Sequence, residues 1–195
     1  MSQEREVMSR EDAAHEVELV SRRLGLLHLA YARALVDTLG EDEGRRLILK
    51  AIKLYGTWIG REVRAAVQEA GLAATPDNYG IDRSRSLPLV GMHERSEVME
   101  VGNEKRLRAY GCVMAKVWKT YGEERLGRLY CYVDPAKYMA YNPDYKLAHV
   151  KALPDGDPYC EFCLEETTAE ERDAFVSTDK DWSWVDQCGG QDGAG

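Results

Sequence analysis

The chain has 195 residues, 44% of them hydrophobic and 31% charged, and a net charge of −8. That length supports one substantial core without demanding two domains, and the acidic balance with no Lys/Arg block argues against a nucleic-acid-binding surface. No apolar run approaches the roughly 18 residues of a membrane span. The N-terminus, Met1-Ser2-Gln3-Glu4-Arg5-Glu6, lacks the apolar core of a signal peptide. A cytoplasmic location is therefore the default expectation. In a reducing compartment the five cysteines are expected as free thiols, metal ligands or nucleophiles rather than as a disulfide framework.

Residues 10–39 carry Val17, Val20, Leu24, Leu27, Tyr31, Ala34 and Leu39 at mostly three- and four-residue steps, the signature of one helix face. Ser9 is the expected N-cap and Gly40 the stop. A second helix is predicted over about 43–70, ended by Gly71, and the short connection at Gly40 makes the two antiparallel neighbours. Gly56 and Gly60 share a face of that helix. Interior glycines cost about 1 kcal/mol each against alanine, so a close approach is expected there, from a packed helix or a ligand.

The aperiodic segment 72–90, with Pro76, Asn78, Gly80 and Pro88, reads as a long loop of the kind that forms lids or binding surfaces. Two strands, 91–101 and 105–112, flank Gly102-Asn103 as a hairpin. Helical spacing returns over 113–121 and again over about 123–141, with a break near Asp134. A second hairpin spans 145–153 and 159–167, turning at Pro154-Asp155-Gly156-Asp157-Pro158. Two hairpins and several helices predict an α+β domain over 1–168: an antiparallel sheet backed by a long N-terminal helical pair and further helices. The tail, 169–195, opens with a charged helical stretch, passes Trp182-Ser183-Trp184 and ends Gly-rich, its last seven residues expected disordered. Cys188 beside them is not expected in a site.

If the second turn is the five-residue loop 154–158, Ala152 faces Cys160 and Val150 faces Phe162, an apolar face turned to the core. The other face then pairs Lys151 with Glu161 and His149 with Cys163 and is expected to meet solvent. Cys160 and Cys163 point to opposite faces, so their C-x-x-C spacing does not make one metal site. Cys160 turns toward the helices, where Cys112 and Cys131 are placed to meet it. Three thiols match a catalytic zinc's ligand count, with Asp134 or Glu161 as an oxygen ligand. The plain alternative is that all three pack as small core hydrophobes.

Other residues have ordinary explanations. Asp134-Pro135 reads as an N-cap and first helical position, Asn142-Pro143 as a helix end and breaker. His28 fits a buried, hydrogen-bonded histidine, His93 begins a strand beside the long loop, and Trp58 and Trp118 fit the core. No nucleophile elbow, H-E-x-x-H, phosphate loop or dinucleotide fingerprint is present.

Tyr55-Gly56-x-x-x-Gly60, a strand running into Cys112, Leu126-Gly127-x-x-x-Cys131-x-x-Asp134, Tyr141-Asn142-Pro143 and Gly156-Asp157-Pro158-Tyr159-Cys160-Glu161-Phe162, in that order over roughly residues 20–165, resemble the L-2-amino-thiazoline-4-carboxylic acid hydrolase family. The layout is also similar to vinyl-reductase-type small-molecule-binding domains. The first resemblance implies a hydrolase that opens a small cyclic C–N/C–S compound such as 2-aminothiazoline-4-carboxylate to N-carbamoyl-cysteine. On that reading Cys160, Cys112 and Asp134 are the catalytic candidates, and Asn142 and Arg108 the substrate-binding ones. Arg106 and Arg61 are further anchors for a carboxylate. Cys112, Cys131 and Cys160 are the ligands where zinc or another divalent metal is bound. Opening the ring needs an activated water or a thiolate and a proton for the leaving atom, and the residues leave that choice open. The second resemblance implies a non-catalytic ligand-binding sensor. The expected partner is a small-molecule substrate, with neither nucleic acid nor membrane, and self-association into a homo-oligomer stays open.

Overall fold

The computed structural model describes residues 7–81, 85–102, 104–178 and 180–189. Helix α1 (Arg10–Leu39) starts where the Ser9 hydroxyl accepts the Asp12 N–H, and stops at Gly40, whose φ of 83° suits a residue without Cβ. Helix α2 (Glu41–Glu69) runs back alongside it. The face α1 buries is one residue round from the predicted stripe: Ser21, Gly25, Leu29 and Ala32 face inward, whereas Val20, Leu27 and Tyr31 stay exposed. Close approach explains the difference. A Cβ on Gly25 would stand 3.4 Å from the Met114 backbone, and the Trp118 indole N–H donates to the Gly25 carbonyl at 3.2 Å. Small residues take the tight interface and push the larger apolar ones outward.

Strands β1 (Arg95–Val101) and β2 (Glu104–Tyr110) form the first hairpin. Then come α3 (Val113–Thr120), α4 (Glu124–Cys131) and α5 (Val133–Tyr141). The predicted break falls at Tyr132, so Asp134 is not the cap but lies inside the first turn of α5. Gly56 and Gly60 admit α5: a Cβ on Gly56 would lie 2.6 Å from that of Ala136, and one on Gly60 would overlap the Lys137 carbonyl. Helix packing is therefore the cause of that glycine pair. Trp118 is in the core with Leu29, Ile48, Leu49 and Leu129, and a Cβ on Gly127 would overlap its ring. Trp58, expected in the core, is 56% exposed.

Strands β3 (Tyr145–Lys151) and β4 (Cys160–Glu166) form the second hairpin, and β2 pairs with β4, giving a four-stranded antiparallel sheet in the order β1-β2-β4-β3. The α+β architecture, with two hairpins and the N-terminal helical pair, is the one predicted. The register is not. Lys151 does face Glu161, but a bulge at Val150 shifts everything before it, so His149 faces Phe162 and Ala148 faces Cys163. One inserted residue sends all earlier side chains to the other face.

The face expected to meet solvent is buried: Glu161 is 3% and Cys163 2% exposed. Arg106 and Arg108 cover Glu161 at 3.1 and 2.6 Å. The tail covers Cys163, which is disulfide-bonded to Cys188 with 6.3 Å between Cα atoms, inside the range a disulfide spans. This corrects the expectation of free thiols throughout: Cys112, Cys131 and Cys160 are free, the other pair cross-linked.

Helix α6 (Ala169–Val176) opens with a Thr168–Glu171 capping box. Beyond it Trp182 and Val185 are buried. The buried Lys146 ammonium donates to Glu171 at 2.5 Å and to the Gln187 carbonyl at 2.6 Å. Gly189 N–H donates to Glu165 at 2.9 Å. The expectation of terminal disorder falls mainly on residues 190–195 and the signal-peptide reading on residues 1–6, both outside the described residues. Among the described residues no helix is long and apolar enough to cross a membrane.

Candidate functional site

Four elements carry the predicted thiols and Asp134. Cys112 follows β2 as the residue that caps α3, Cys131 ends α4, Asp134 sits in the first turn of α5, and Cys160 opens β4. Cys160 shares a small apolar cluster with Ala109 and Phe162, and its sulfur accepts the Leu153 N–H at 3.4 Å. That contact belongs to the turn. The Asp157 carboxylate accepts the Ala152 N–H at 2.9 Å, and Gly156 takes a left-handed φ of 97°. The Gly-Asp-Pro sequence thus sets the turn that places Cys160.

The three thiols lie close enough to bias one another. Burial pushes the Cys160 thiol up to about 12, with Cys112 and Asp134 adding to the rise and Arg128 opposing it. Burial also pushes Cys131 well up, against the pull of Arg128 and with the help of Cys160, Cys112 and Asp134. At Cys112 burial outweighs the N–H groups of Met114 and Ala115, which point at its sulfur from the start of α3. A thiol at a helix N-terminus is ordinarily acidified; here desolvation wins. All three therefore carry their protons at neutral pH.

A cleft of ≈ 560 Å³ reaches Cys112 between Tyr110, Lys116 and the turn at Leu153, Gly156 and Pro158. A second, of ≈ 1060 Å³, lies between the start of α1 and His93. Both touch Glu94 and Lys116, which are ion-paired at 2.6 Å. His93 is held in its neutral form chiefly by burial.

Asp134 has a second set of partners. The Lys137 ammonium lies 2.5 Å from its Oδ1, and His149 Nε2 stands 3.7 Å from its Oδ2. Burial alone would lower the Lys137 pKa, but the charge and hydrogen bond of Asp134 together with Tyr79 and Tyr138 outweigh it and keep the ammonium protonated. The bulge puts His149 on the Cys160 face, opposite Phe162, with ring centroids 4.5 Å apart. Its Nδ1 is 2.9 Å from Asp186 Oδ1. Arg128 donates to Asp186 at 2.7 Å and to Asp155 at 2.8 Å.

Two sequence-predicted residues have other work. Arg108 pairs with Glu161 and stacks over Tyr159. It faces Glu161 across the β2–β4 ladder, one position from the Ala109–Cys160 pair and so on the opposite face. Asn142 donates to the Ala74 carbonyl at 2.8 Å and accepts the Asp144 N–H at 2.9 Å, which closes the end of α5. Asp186 was not legible as a site residue, and His149 was weighed only beside Cys163. The cue was available in the tail: Trp182, Trp184 and Val185 form an apolar patch in a polar segment, a mark of docking.

Metal geometry can be tested on the donors. Zinc–sulfur bonds near 2.3 Å bring ligand atoms to within about 4 Å of one another. Among the described residues, the set of three Cys, His or carboxylate ligand atoms within 4.8 Å of one another is Cys163, Glu165 and Cys188, whose two sulfurs are joined to each other. Cys112, Cys131 and Cys160 are spread wider, so as they stand they do not fit a shared tetrahedral ion.

No curated protein and no solved structure matches the chain significantly. The family model described as L-2-amino-thiazoline-4-carboxylic acid hydrolase matches residues 21–164, from α1 to β4. Its span takes in every thiol and carboxylate of the site except Asp186, Asp155 aside as a turn residue within it, and on that match the chain belongs to the L-2-amino-thiazoline-4-carboxylic acid hydrolase family.

Proposed function

We propose that the protein is a hydrolase that opens a small cyclic isothiourea, of which 2-aminothiazoline-4-carboxylate is the type, to an N-carbamoyl-cysteine. The observation that supports the reading is a cleft of ≈ 560 Å³ in the family domain that reaches Cys112, a thiol within electrostatic range of Cys160 and Asp134. A cleft of that size accepts a compact ring of this kind. Burial favours the protonated thiols, which supports water rather than a thiolate as the nucleophile. Cys112 then meets the ring's sulfur side as a weak donor, and Lys116 with Glu94 forms the polar rim of the cleft. Arg108 and Asn142 act on the substrate only through the elements they hold.

The test is incubation with L-2-aminothiazoline-4-carboxylate, following release of the new thiol and the product mass. Ring opening is expected with the wild type and is expected to disappear in Cys160→Ala while the thermal melt stays cooperative. Undiminished turnover in that variant would remove the role given to Cys160. Ligand-induced thermal stabilisation without any product would instead favour a binding domain.

A further inference from the structure

We propose that His149 is the general acid–base of this reaction and that Asp186, carried by the C-terminal tail, is its positioning residue. The proposal rests on the hydrolase reading and adds to it a proton carrier from the bulged strand and an orienting group that lies beyond residue 164, where the family match ends.

His149 meets the geometric needs of the role. The bulge at Val150 turns it to the face that carries Cys160, and its ring packs on Phe162, which limits rotation. One nitrogen, Nδ1, is engaged by Asp186 at 2.9 and 3.2 Å. The other, Nε2, stands 3.7 Å from Asp134 Oδ2, beyond hydrogen-bond reach. Asp134 therefore does not engage that nitrogen in a hydrogen bond. Cys131 and Cys160 both feel the Asp134 charge, so thiols and imidazole lie within electrostatic range of the same carboxylate.

Asp186 is built as an orienter. Its side chain is 1% exposed, and it receives the His149 backbone N–H at 2.9 Å as well as the ring. Arg128 adds a third donor at 2.7 Å. Burial works against its charge, but His149 and Arg128 outweigh burial and hold the carboxyl below its ordinary value. An ionised carboxylate only accepts. It therefore holds the ring proton on Nδ1 and leaves Nε2 as the nitrogen without one, on the side of Asp134. A bulge in an edge strand and a buried ion pair at its end are costly features for a strap alone.

The step balances without a further reactant. The oxygen of water bonds to the ring carbon between nitrogen and sulfur, and one of its protons passes through Nε2 to the ring nitrogen. The carbon–sulfur bond then breaks with its electron pair on sulfur. The proton of the new hydroxyl ends on that sulfur, leaving the carbamoyl C=O and a free thiol.

The test combines kinetics with a measurement that needs no substrate. In the wild type at pH 8.5, the ¹⁵N shifts of the His149 ring, assigned by their loss in His149→Gln, should show Nδ1 protonated and Nε2 bare. In Asp186→Asn, whose amide can donate to Nδ1, the tautomer should reverse. That variant should lose about tenfold or more in kcat with KM changed less than about twofold, and Asp186→Glu should recover part of the loss. A proton on Nε2 in the wild type, or wild-type kcat in Asp186→Asn, would overturn the proposal. If the wild type opens no thiazoline, the substrate reading falls, and the tautomer still decides whether Asp186 orients His149.

Discussion

His149 faces Phe162 across the β3–β4 ladder, although Lys151, two residues on, faces Glu161. The extra residue, Val150, is what turns the imidazole from the Cys163 face to the Cys160 face. Deleting Val150 should leave a regular ladder in which Lys151 still faces Glu161 and His149 still faces Phe162, so the imidazole keeps its face. The expected result is a cooperative melt and retained ring opening. Loss of ring opening with an intact melt would show that the local bend of the bulge, and not the face alone, positions His149.

Gly60 sits where the Lys137 carbonyl leaves no room for a Cβ. Because the obstacle is backbone on a packed helix, relaxation must separate α2 from α5. Gly60→Ala should therefore cost about 2–3 kcal/mol despite alanine's better helix propensity. Urea unfolding monitored by circular dichroism measures it.

Acid should destabilise the protein in two stages. His28 lies below its ordinary 6.5 chiefly through burial, opposed by its bond to the Leu126 carbonyl. The unfolded chain therefore binds that proton first, and stability falls as pH drops below 6.5. Glu161 and Asp186 resist burial through their cationic partners and lie below 4.5 and 3.8. Their contribution is complete above those values and is lost as pH falls through the lower folded ones. Stability measured from pH 8 to 3 should show both stages, and His28→Gln should shrink the first to the part due to His93, whose pKa burial also lowers.

The Cys163–Cys188 cross-link closes a separation of 25 residues, for which loop-closure entropy predicts about 3 kcal/mol. A dithiol reductant should lower the melting temperature and open the segment after α6 to protease. Cys188→Ser should melt like the reduced wild type and respond no further to reductant.

Burial holds Cys112, Cys131 and Cys160 protonated, so an alkylating reagent at pH 7.5 should find them slow in the native protein. Unfolding in denaturant should expose the three free thiols, and reduction should add the cross-linked pair. Rapid native labelling of Cys160 would contradict the burial argument.

Local signals made much of the chain readable. Ser9, Gly40 and Gly71 mark helix ends because capping and left-handed backbone are decided by near neighbours. The Asp157 turn, the two hairpins and the glycine pair of α2 follow in the same way. The inward face of α1 was not readable from hydrophobicity, since Gly25 is chosen for its approach distance to α3 and not for apolar area. Cys160 was legible as inward-facing because it stands next to the turn, on the near side of the bulge.

By itself, then, the sequence determined the α+β class, the order of the elements and the inward turn of Cys160. The tertiary structure alone decided the bulge at Val150, the burial of Cys163 and Glu161, the disulfide, and the meeting of His149 with Asp186. Each of these depends on residues far apart in the chain: His149 and Asp186 are separated by 37 positions. Their contact exists only once α6 and the buried Trp182 and Val185 have brought the tail back to the edge of β3. Local propensity carries no information about where a tail will dock, because docking is settled by the burial of surfaces formed only when the rest of the fold is in place.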